Sequence, residues 1–566
     1  MTNRTRFTLI PFLSLALTGC SFAFDFGGSS AVSSAPAASS APAASSAPAS
    51  SQPSSSPAAT SMSMADSGDG YYRLVQPNQT VTLHDLGAHN GNAYLASQGT
   101  QKVLVLPIEF SSHPFSDSRL ADMRAAIQGS AEETQYWESL KSFYKKSSYG
   151  KLDMEFVFAD PCRIATSPSD WYTSLENQFV DPSDKSYGTF GDYPEAMPQE
   201  ALKKAVTQFR NNGGDTKQFD QDGDGFIDAC IMVYSCDDKN NDASLKKIKY
   251  GDLFWAYQFS DLSAPIEGNV ASPIPNRYFW SSYDFFYEDV AEGKGVDAHT
   301  IIHEMGHIFG ADDYYNYGEK DELGQPSGGM MMMDFNIGDH DSFTKLLYGW
   351  VSPYCITGDC EITIRPFGSS GDCILLADSW NGTAFDEYVL IELYTPAGLN
   401  AHDAAKKYTN NSQLYETSGV RVFHVDNRYV YGQETDEYGV FVDEGFLADD
   451  DLMYWKMASE RLLGERQYVN QAVTNCEFYD TTSLQGKGFE LLQIVQRGKA
   501  NTVKYGNPST ADDLFQTGDH FSMGEYFKFF PAAPKLNNGN ALPFEIEFKE
   551  VNDSYATLSF RKTAEG

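Results

Sequence analysis

The sequence predicts an α/β (α+β) domain over residues 100–353, followed by a β-rich, sandwich-like region over 354–566. Apolar, strand-like runs alternate with amphipathic helical segments from 100 to about 350, as in a sheet covered by helices. After Trp350 the pattern changes to short alternating or β-branched runs, which are typical of a β-sandwich or β-meander. These runs are separated by Gly, Asn and Asp and occupy 361–365, 388–393, 420–425, 489–495, 544–548 and 555–561.

The first 68 residues predict an export signal and a tether. Arg4 and Arg6 precede the apolar run 7–17, which is too short to span a membrane comfortably and is typical of a signal peptide. The run ends in Leu-Thr-Gly-Cys, so we expect a lipoprotein signal over 1–19 and lipidation of Cys20. An ordinary secretory signal with a chance cysteine is the alternative reading.

Residues 20–68 repeat Ser, Ala and Pro, a composition that has nothing to bury and stays extended. A short segment, 69–99, then leads into the first domain. The prediction is an extracellular protein that is held on the bacterial cell membrane by its lipid anchor alone.

The charge of the chain limits its partners. The formal net charge is −36 at pH 7, which repels nucleic acid and anionic membrane surfaces. We therefore expect no nucleic-acid partner, and we expect a monomer. Bound cations would complement the surplus of carboxylates, although a solvated acidic surface explains most of them equally well.

The cysteines after Cys20 are odd in number, so they cannot all pair within the chain. Two pairs are close in sequence, and each is either a disulfide or a pair of buried thiols. They are Cys230 with Cys236 and Cys355 with Cys360.

An H-E-x-x-H motif predicts a metal centre on a helix. Apolar residues recur at helical spacing through 296–309, and Asp297 is placed to cap the start. His303 and His307 are one turn apart and share a face, where two neutral imidazoles bind one Zn²⁺. Glu304 is rotated about 100° from His303 and is the predicted general base for a water at the metal. The alternative is two surface histidines on an ordinary helix.

The residues after the motif predict a third metal ligand. Gly310 accepts the left-handed conformation that ends the helix and turns the chain back, which lets Asp313 reach the metal. Three other carboxylates are close enough in sequence to compete for that role. They are Asp312, Glu319 and Glu322.

A methionine-rich turn follows about twenty residues later. Metzincin-type zincins place a methionine turn under the metal at this distance, and Met333, in the segment 328–334, is the candidate. The alternative is that these methionines only fill gaps in the core.

A second metal site is predicted upstream, in the loop 220–228. Aspartates stand at positions 1, 3, 5 and 9 with Gly225 at position 6, as in the first part of an EF-hand loop for Ca²⁺. Ile231 replaces the glutamate of position 12 and 229–234 is strand-like, so Asp237, Asp238 or Asp242 would have to complete the site. An acidic surface turn is the alternative. The predicted calcium ligands are Asp220, Asp222, Asp224 and Asp228.

Together these motifs resemble the immune inhibitor A family of secreted zinc metallopeptidases, which are zincins with metzincin-like features. The resemblance extends from about residue 100 to the C-terminus. It implies a zincin-like catalytic domain that is a zinc endopeptidase, with Glu304 as base, and the family spacing favours Asp313 as third ligand. The matching segments are 303–313, 333–334, 336–340, Lys345, 347–350, 102–110, 143–152, 386–392 and 419–426.

The predicted function is therefore hydrolysis of peptide bonds in extracellular proteins by metal-activated water. Four side chains are candidates to stabilise the oxyanion, and the sequence does not choose among them. Two alternatives stay open: a surface-displayed binding or adhesion lipoprotein with a vestigial zincin fold, and a zinc amidase that acts on cell-wall peptides. The oxyanion candidates are His340, Tyr314, Tyr315 and Tyr317.

Overall fold

The chain is a mixed α/β protein with several sheets, compatible with the predicted α+β class. Cys20, the signal and the tether lie outside the described residues. The computed structural model describes residues 69–73, 84, 94–179, 196–238, 240–243, 245–246, 248, 254–260, 268–315, 325–378, 380, 382–408, 411–427, 429–432, 467–470, 490–530 and 532–563.

Within these ranges the strands, in chain order, are β1 Tyr71–Arg73, β2 Gly99–Phe110, β3 Leu152–Phe158, β4 Cys162–Ala165, β5 Phe226–Ile227, β6 Cys230–Tyr234, β7 Tyr257–Ser260, β8 Ile274–Pro275, β9 Arg277–Ser282, β10 Tyr354–Ile356, β11 Cys360–Ile364, β12 Cys373–Leu376, β13 Glu387–Tyr394, β14 Gly419–Asp426, β15 Tyr429–Gly432, β16 Gln467–Asn470, β17 Leu492–Ile494, β18 His520–Ser522, β19 Phe544–Val551 and β20 Ala556–Lys562. Strands therefore occur in all six of the runs predicted after Trp350.

The α-helices of the same ranges are α1 Asp117–Gln128, α2 Ala131–Thr134, α3 Leu140–Ser147, α4 Pro168–Phe179, α5 Ala196–Asn211, α6 His299–Ile308, α7 Met332–Phe335, α8 Ser342–Leu347, α9 Phe367–Ser370 and α10 Ala401–Ala405. Helix α6 carries the H-E-x-x-H motif. None of the helices in the described part of the chain has the length and apolar character needed to cross a bilayer.

The first large sheet has the order β3-β2-β6-β9-β7, with β4 also paired to β2. Its strands are parallel except for β7, which is antiparallel to β9. Successive side chains of β2 point to opposite faces of the sheet. Val103 and Val105 therefore lie in one core cluster, and Leu104 and Leu106 lie in another. Helices α1, α3 and α6 contribute to the first cluster, and α4 and α5 contribute to the second. The sheet is therefore covered by helices on both faces.

Besides the small β15-β16 sheet, the C-terminal region contains two larger sheets, of order β1-β10-β12-β13-β14-β17 and β11-β20-β19-β18. Strand β13 illustrates how they pack. Its Val389 and Ile391 lie in a cluster with residues of both sheets, whereas Tyr388 and Leu390 lie in the cluster that contains α6. One hydrophobic core thus joins the C-terminal sheet to the helix of the metal motif.

The segment before residue 100 contributes a strand that the sequence did not predict. Strand β1 pairs antiparallel with β10, with Tyr71 opposite Ile356. All of the cysteines that the structure describes are free thiols, so neither close pair forms a disulfide. Cys230, Cys236 and Cys355 are buried, and Cys360 is partly exposed.

Candidate metal centre

Helix α6 is buried along its whole length, and its position is set by both apolar and polar contacts. Ile301, Ile302, Met305 and Ile308 pack into the core. The hydroxyls of Tyr144 and Tyr348 donate to the carbonyl oxygens of residues 302 and 306, each at 2.8 Å. These hydrogen bonds restrain the helix against sliding along its axis, so its side chains keep fixed positions.

The start of the helix differs from the sequence prediction, whereas its end agrees with it. The N-cap residue is Ala298, which makes no side-chain capping bond, so Asp297 is not the N-cap. Asp297 lies one residue earlier, and its Oδ1 accepts a hydrogen bond from the backbone N–H of His299 at 3.0 Å. At the end, Gly310 has a φ of 99°, which an L side chain rarely adopts. Its N–H donates to the carbonyl of His307 at 2.9 Å, and the next N–H donates to that of Gly306. The chain therefore reverses directly after the helix.

This reversal brings Asp313 to the two motif histidines. Asp313 Oδ1 lies 2.8 Å from His303 Nε2 and 3.4 Å from His307 Nε2. The two Nε2 atoms are 3.1 Å apart. All three side chains are buried. Among the described residues, these three form a group that could hold a metal ion; Glu319 and Glu322 lie outside the described ranges.

The hydrogen bonds of the two Nδ1 atoms indicate whether the Nε2 atoms of His303 and His307 can bind a cation. His303 Nδ1 faces the carbonyl oxygen of Met332 at 2.8 Å, and His307 Nδ1 faces that of Ala311 at 2.7 Å. A carbonyl only accepts, so each Nδ1 carries a proton, and each ring can present an Nε2 lone pair to a metal ion that displaces any proton there. Two lone pairs and a carboxylate then converge on one point. That donor set matches the nitrogen and oxygen ligands of Zn²⁺.

Glu304 lies beside this group and is only 7 % exposed. It makes no hydrogen bond within the described part of the chain, so its carboxylate is available to a small molecule. Burial raises the pKa of Glu304 to about 7, although His307 and His303 oppose the shift. The pKa of Asp313 moves the other way, because the neighbouring imidazoles lower it despite burial. The two acids therefore have distinct environments, as a ligand and a base require.

Met333 packs directly against the helix between the two histidines. A Cβ on Gly306 would lie 2.3 Å from Met333 Sδ, so glycine at this position is what allows the methionine to approach. The carbonyl of Met333 accepts from Tyr314 N at 2.8 Å, which joins the methionine turn to the loop that carries Asp313. Asp334 holds the turn by accepting from Gly329 N at 2.6 Å. The partnership of Gly306 with Met333 was not predicted from sequence.

The candidate oxyanion groups occupy different environments. Tyr315 is adjacent to the metal group: burial raises its pKa, and the carboxylates of Asp313 and Glu304 raise it further. The hydroxyl of Tyr314 bonds instead to Thr344 Oγ1 at 2.9 Å in the core. Tyr317 lies outside the described residues.

His340 is buried beside α6, and neither of its ring nitrogens has a hydrogen-bond partner in the described structure. Burial, together with Lys345, lowers its pKa well below the ordinary range. A neutral imidazole in such a site acts mainly as an aromatic core residue. The rings around it, with centroids 5.4 to 5.9 Å away, belong to Phe143, Tyr144, Tyr348 and Trp350.

The aspartate loop at 220–228 brings four carboxylates together, as predicted. Their oxygens lie within 4.8 Å of one another. Gly225 has a φ of 87°, and a Cβ there would meet Asn269 N at 2.5 Å, so the turn requires glycine. Burial and neighbouring carboxylates raise the pKa of Asp228 to about 7 and that of Asp224 to about 6. The members are Asp220, Asp222, Asp224 and Asp228.

Asp237, Asp238 and Asp242, the sequence candidates to complete the site, are not part of that group. Asp238 instead accepts from Asn241 Nδ2 at 2.8 Å, and the same amide nitrogen donates to Asp284 at 2.7 Å. The predicted strand at 229–234 is β6, which leads away from the loop into the first sheet.

Comparison with known proteins does not assign the chain to a family. No protein-family model and no curated protein matches the chain.

Proposed function

We propose that this protein is a zinc-dependent endopeptidase, with a zincin-like catalytic domain and a sandwich-like C-terminal region. One observation carries the proposal: the convergence of His303, His307 and Asp313 on one buried point, with the carboxylate of Glu304 beside it. The sequence resemblance to immune inhibitor A peptidases agrees with it. Protein or peptide substrates of the extracellular space follow from the predicted export signal.

When bound, Zn²⁺ polarises a scissile carbonyl and makes water nucleophilic near neutral pH. Side chains of the protein carry out the remaining steps. Glu304 accepts the proton of the attacking water and passes it to the leaving amine. Asp313 and the two imidazoles would hold the ion, while the carbonyls of Met332 and Ala311 fix the ring tautomers. Tyr315, which lies next to Asp313 and Glu304, is the best placed of the described candidates to donate to the oxyanion.

The experiment that tests the proposal is cleavage of a denatured protein by the full-length enzyme, purified in detergent, with and without a zinc chelator. We expect cleavage that the chelator abolishes and added zinc restores. No cleavage by the zinc-loaded protein would favour the binding or adhesion alternative. Release of peptides from cell-wall fragments alone would favour the amidase.

The lipid anchor has its own prediction. Cys20→Ala is expected to move the protein from the membrane fraction to the soluble fraction, because the lipid would be its sole attachment. The measurement is fractionation of the expressing cells followed by immunoblotting. Cys360→Ala, which removes a partly exposed thiol of the folded region, serves as the control. Membrane association that persists without Cys20 would contradict the lipoprotein assignment.

We also propose that the aspartate loop binds a structural Ca²⁺, because four crowded carboxylates repel one another without a cation. Removing calcium is expected to lower the Tm by roughly 5–10 °C, the effect of a ligand present at about 100-fold above its Kd. The measurement is thermal unfolding with and without a calcium-selective chelator. Limited proteolysis should also show new cleavage between Gly213 and Asp228.

The double variant Asp222→Ala with Asp224→Ala should reproduce that loss in the presence of calcium. The matched control is Asp117→Ala with Asp512→Ala, which removes the same charge from exposed positions elsewhere. If the Tm does not depend on calcium and both double variants melt like the wild type, the loop is only a surface turn.

A further inference from the structure

A second group of histidine and aspartate side chains lies at the start of helix α6. His299 is in the first turn of α6, and His402 and Asp403 are in α10. One potential ligand atom from each of the three lies within 4.8 Å of the others. His299 and Asp403 are 104 positions apart in the chain, so no sequence motif marks the group.

We propose that His299, His402 and Asp403 form a second site for a divalent metal ion of the Zn²⁺ class. Two imidazoles and one carboxylate are the ligand types that Zn²⁺ prefers. His299 Nε2 faces Asp403 Oδ2 at 3.3 Å, and the ring of His402 contacts Asp403 Oδ1 at 2.8 Å. The inference is independent of catalysis at His303 and His307 and extends beyond the proposed function.

The orientation of His299 supports a ligand role. Its Nδ1 lies 2.6 Å from Asp297 Oδ1, and the other oxygen of Asp297 accepts from the Tyr408 hydroxyl at 2.9 Å. A carboxylate behind the imidazole is the usual support of a metal-binding histidine, because it fixes the tautomer and directs Nε2 at the ion. The ring also stacks on Trp137 at 4.0 Å, which prevents rotation.

The charges of the group also favour a cation. Asp297 and Asp403 are both buried, and leaving a carboxylate buried without a countercharge is costly. A proton on Nε2 of His299, shared with Asp403 Oδ2 at 3.3 Å, is the competing occupant of the same space. It offsets only one of the two negative charges, whereas a divalent ion offsets both.

The surroundings give the ion a path and a structural role. The His402 side chain is 20 % exposed, so an ion can enter from that side although His299 and Asp403 are buried. Asp403 Oδ2 also accepts from Gly338 N at 2.6 Å. An ion held here would join the first turn of α6 to α10 and to the loop that follows the methionine turn.

The experiment counts zinc in the full-length protein by elemental mass spectrometry after dialysis, with calcium in excess to occupy the aspartate loop. We expect two equivalents per chain in the wild type and one in the double variant His303→Ala with His307→Ala. Adding His402→Ala to that variant should remove the remaining equivalent. His520→Ala, at an exposed position in β18, is the control and should keep both.

Failure of this inference is distinct from failure of the proposed function, because each of the two sites contributes one separate equivalent of bound zinc per chain. If the double variant does not fold, the single variants His402→Ala and Asp403→Asn still decide the question, since each should bind one equivalent and not two. The second site would be overturned if the folded variant His303→Ala with His307→Ala bound no zinc. It would also be overturned if the zinc of that variant persisted after His402→Ala and after Asp403→Asn. His299 would then be a protonated imidazole between two carboxylates.

Discussion

Glu304→Gln is expected to lower kcat for peptide-bond hydrolysis by about 10²–10⁴-fold, the usual contribution of a general base. The amide preserves the size of the side chain but cannot accept the proton of the attacking water. Glu304 makes no hydrogen bond within the described part of the chain, so the substitution leaves no partner unsatisfied there. The measurement is steady-state cleavage of a fluorogenic peptide by full-length enzyme loaded with zinc.

Zinc content and Tm are the controls for this variant. Both should match the wild type, because the ligands His303, His307 and Asp313 are unchanged. A Glu304→Gln enzyme that retains near wild-type turnover would remove Glu304 from the mechanism. Loss of zinc together with activity would instead assign Glu304 to the metal and not to the water.

Asp313→Ala is expected to weaken zinc binding at the H-E-x-x-H site by more than about 100-fold. Loss of a residue that merely supports a ligand costs 10–100-fold, and a direct ligand should cost more. Asp313 Oδ1 lies within 3.4 Å of both Nε2 atoms. The measurement is competition for zinc against a chelating dye.

Asp312→Ala is the matched control, since it removes the same group from the adjacent position. Asp312 is not among the three clustered residues, so the zinc affinity of the Asp312→Ala variant should stay near that of the wild type. Equal losses in the two variants would contradict the assignment of Asp313 and direct attention to Glu319 or Glu322. The test does not depend on turnover and therefore separates the metal site from the mechanism.

Several features of the site were predictable because they depend on residues close together in the chain. Helical geometry places His303 and His307 on one face whatever the rest of the protein does. The positive φ of Gly310 and the return of the chain to Asp313 follow from local backbone preference. Likewise, the aspartates of the 220–228 loop cluster through the turns at its glycines, and the alternating runs after residue 354 became strands.

Other features depend on packing between distant segments, and the sequence alone contained no signal for them. The approach of Met333 to Gly306 requires the methionine turn to dock on α6, and the pairing of β1 with β10 joins segments almost 300 positions apart. His340 was a plausible oxyanion donor from its position in the motif, yet its side chain lies among aromatic rings without a hydrogen-bond partner in the described structure.

Sequence by itself thus determined the helix that carries His303, Glu304 and His307, the turn to Asp313 and the acidic loop. Their geometry is set within a few residues by backbone conformation. Only the tertiary structure decided which carbonyls fix the imidazole tautomers, that Met333 packs against Gly306, and that His299 meets Asp403. Those contacts arise when separate elements bury a common apolar surface, and hydrophobic burial is not directional, so sequence spacing does not encode which distant residues meet.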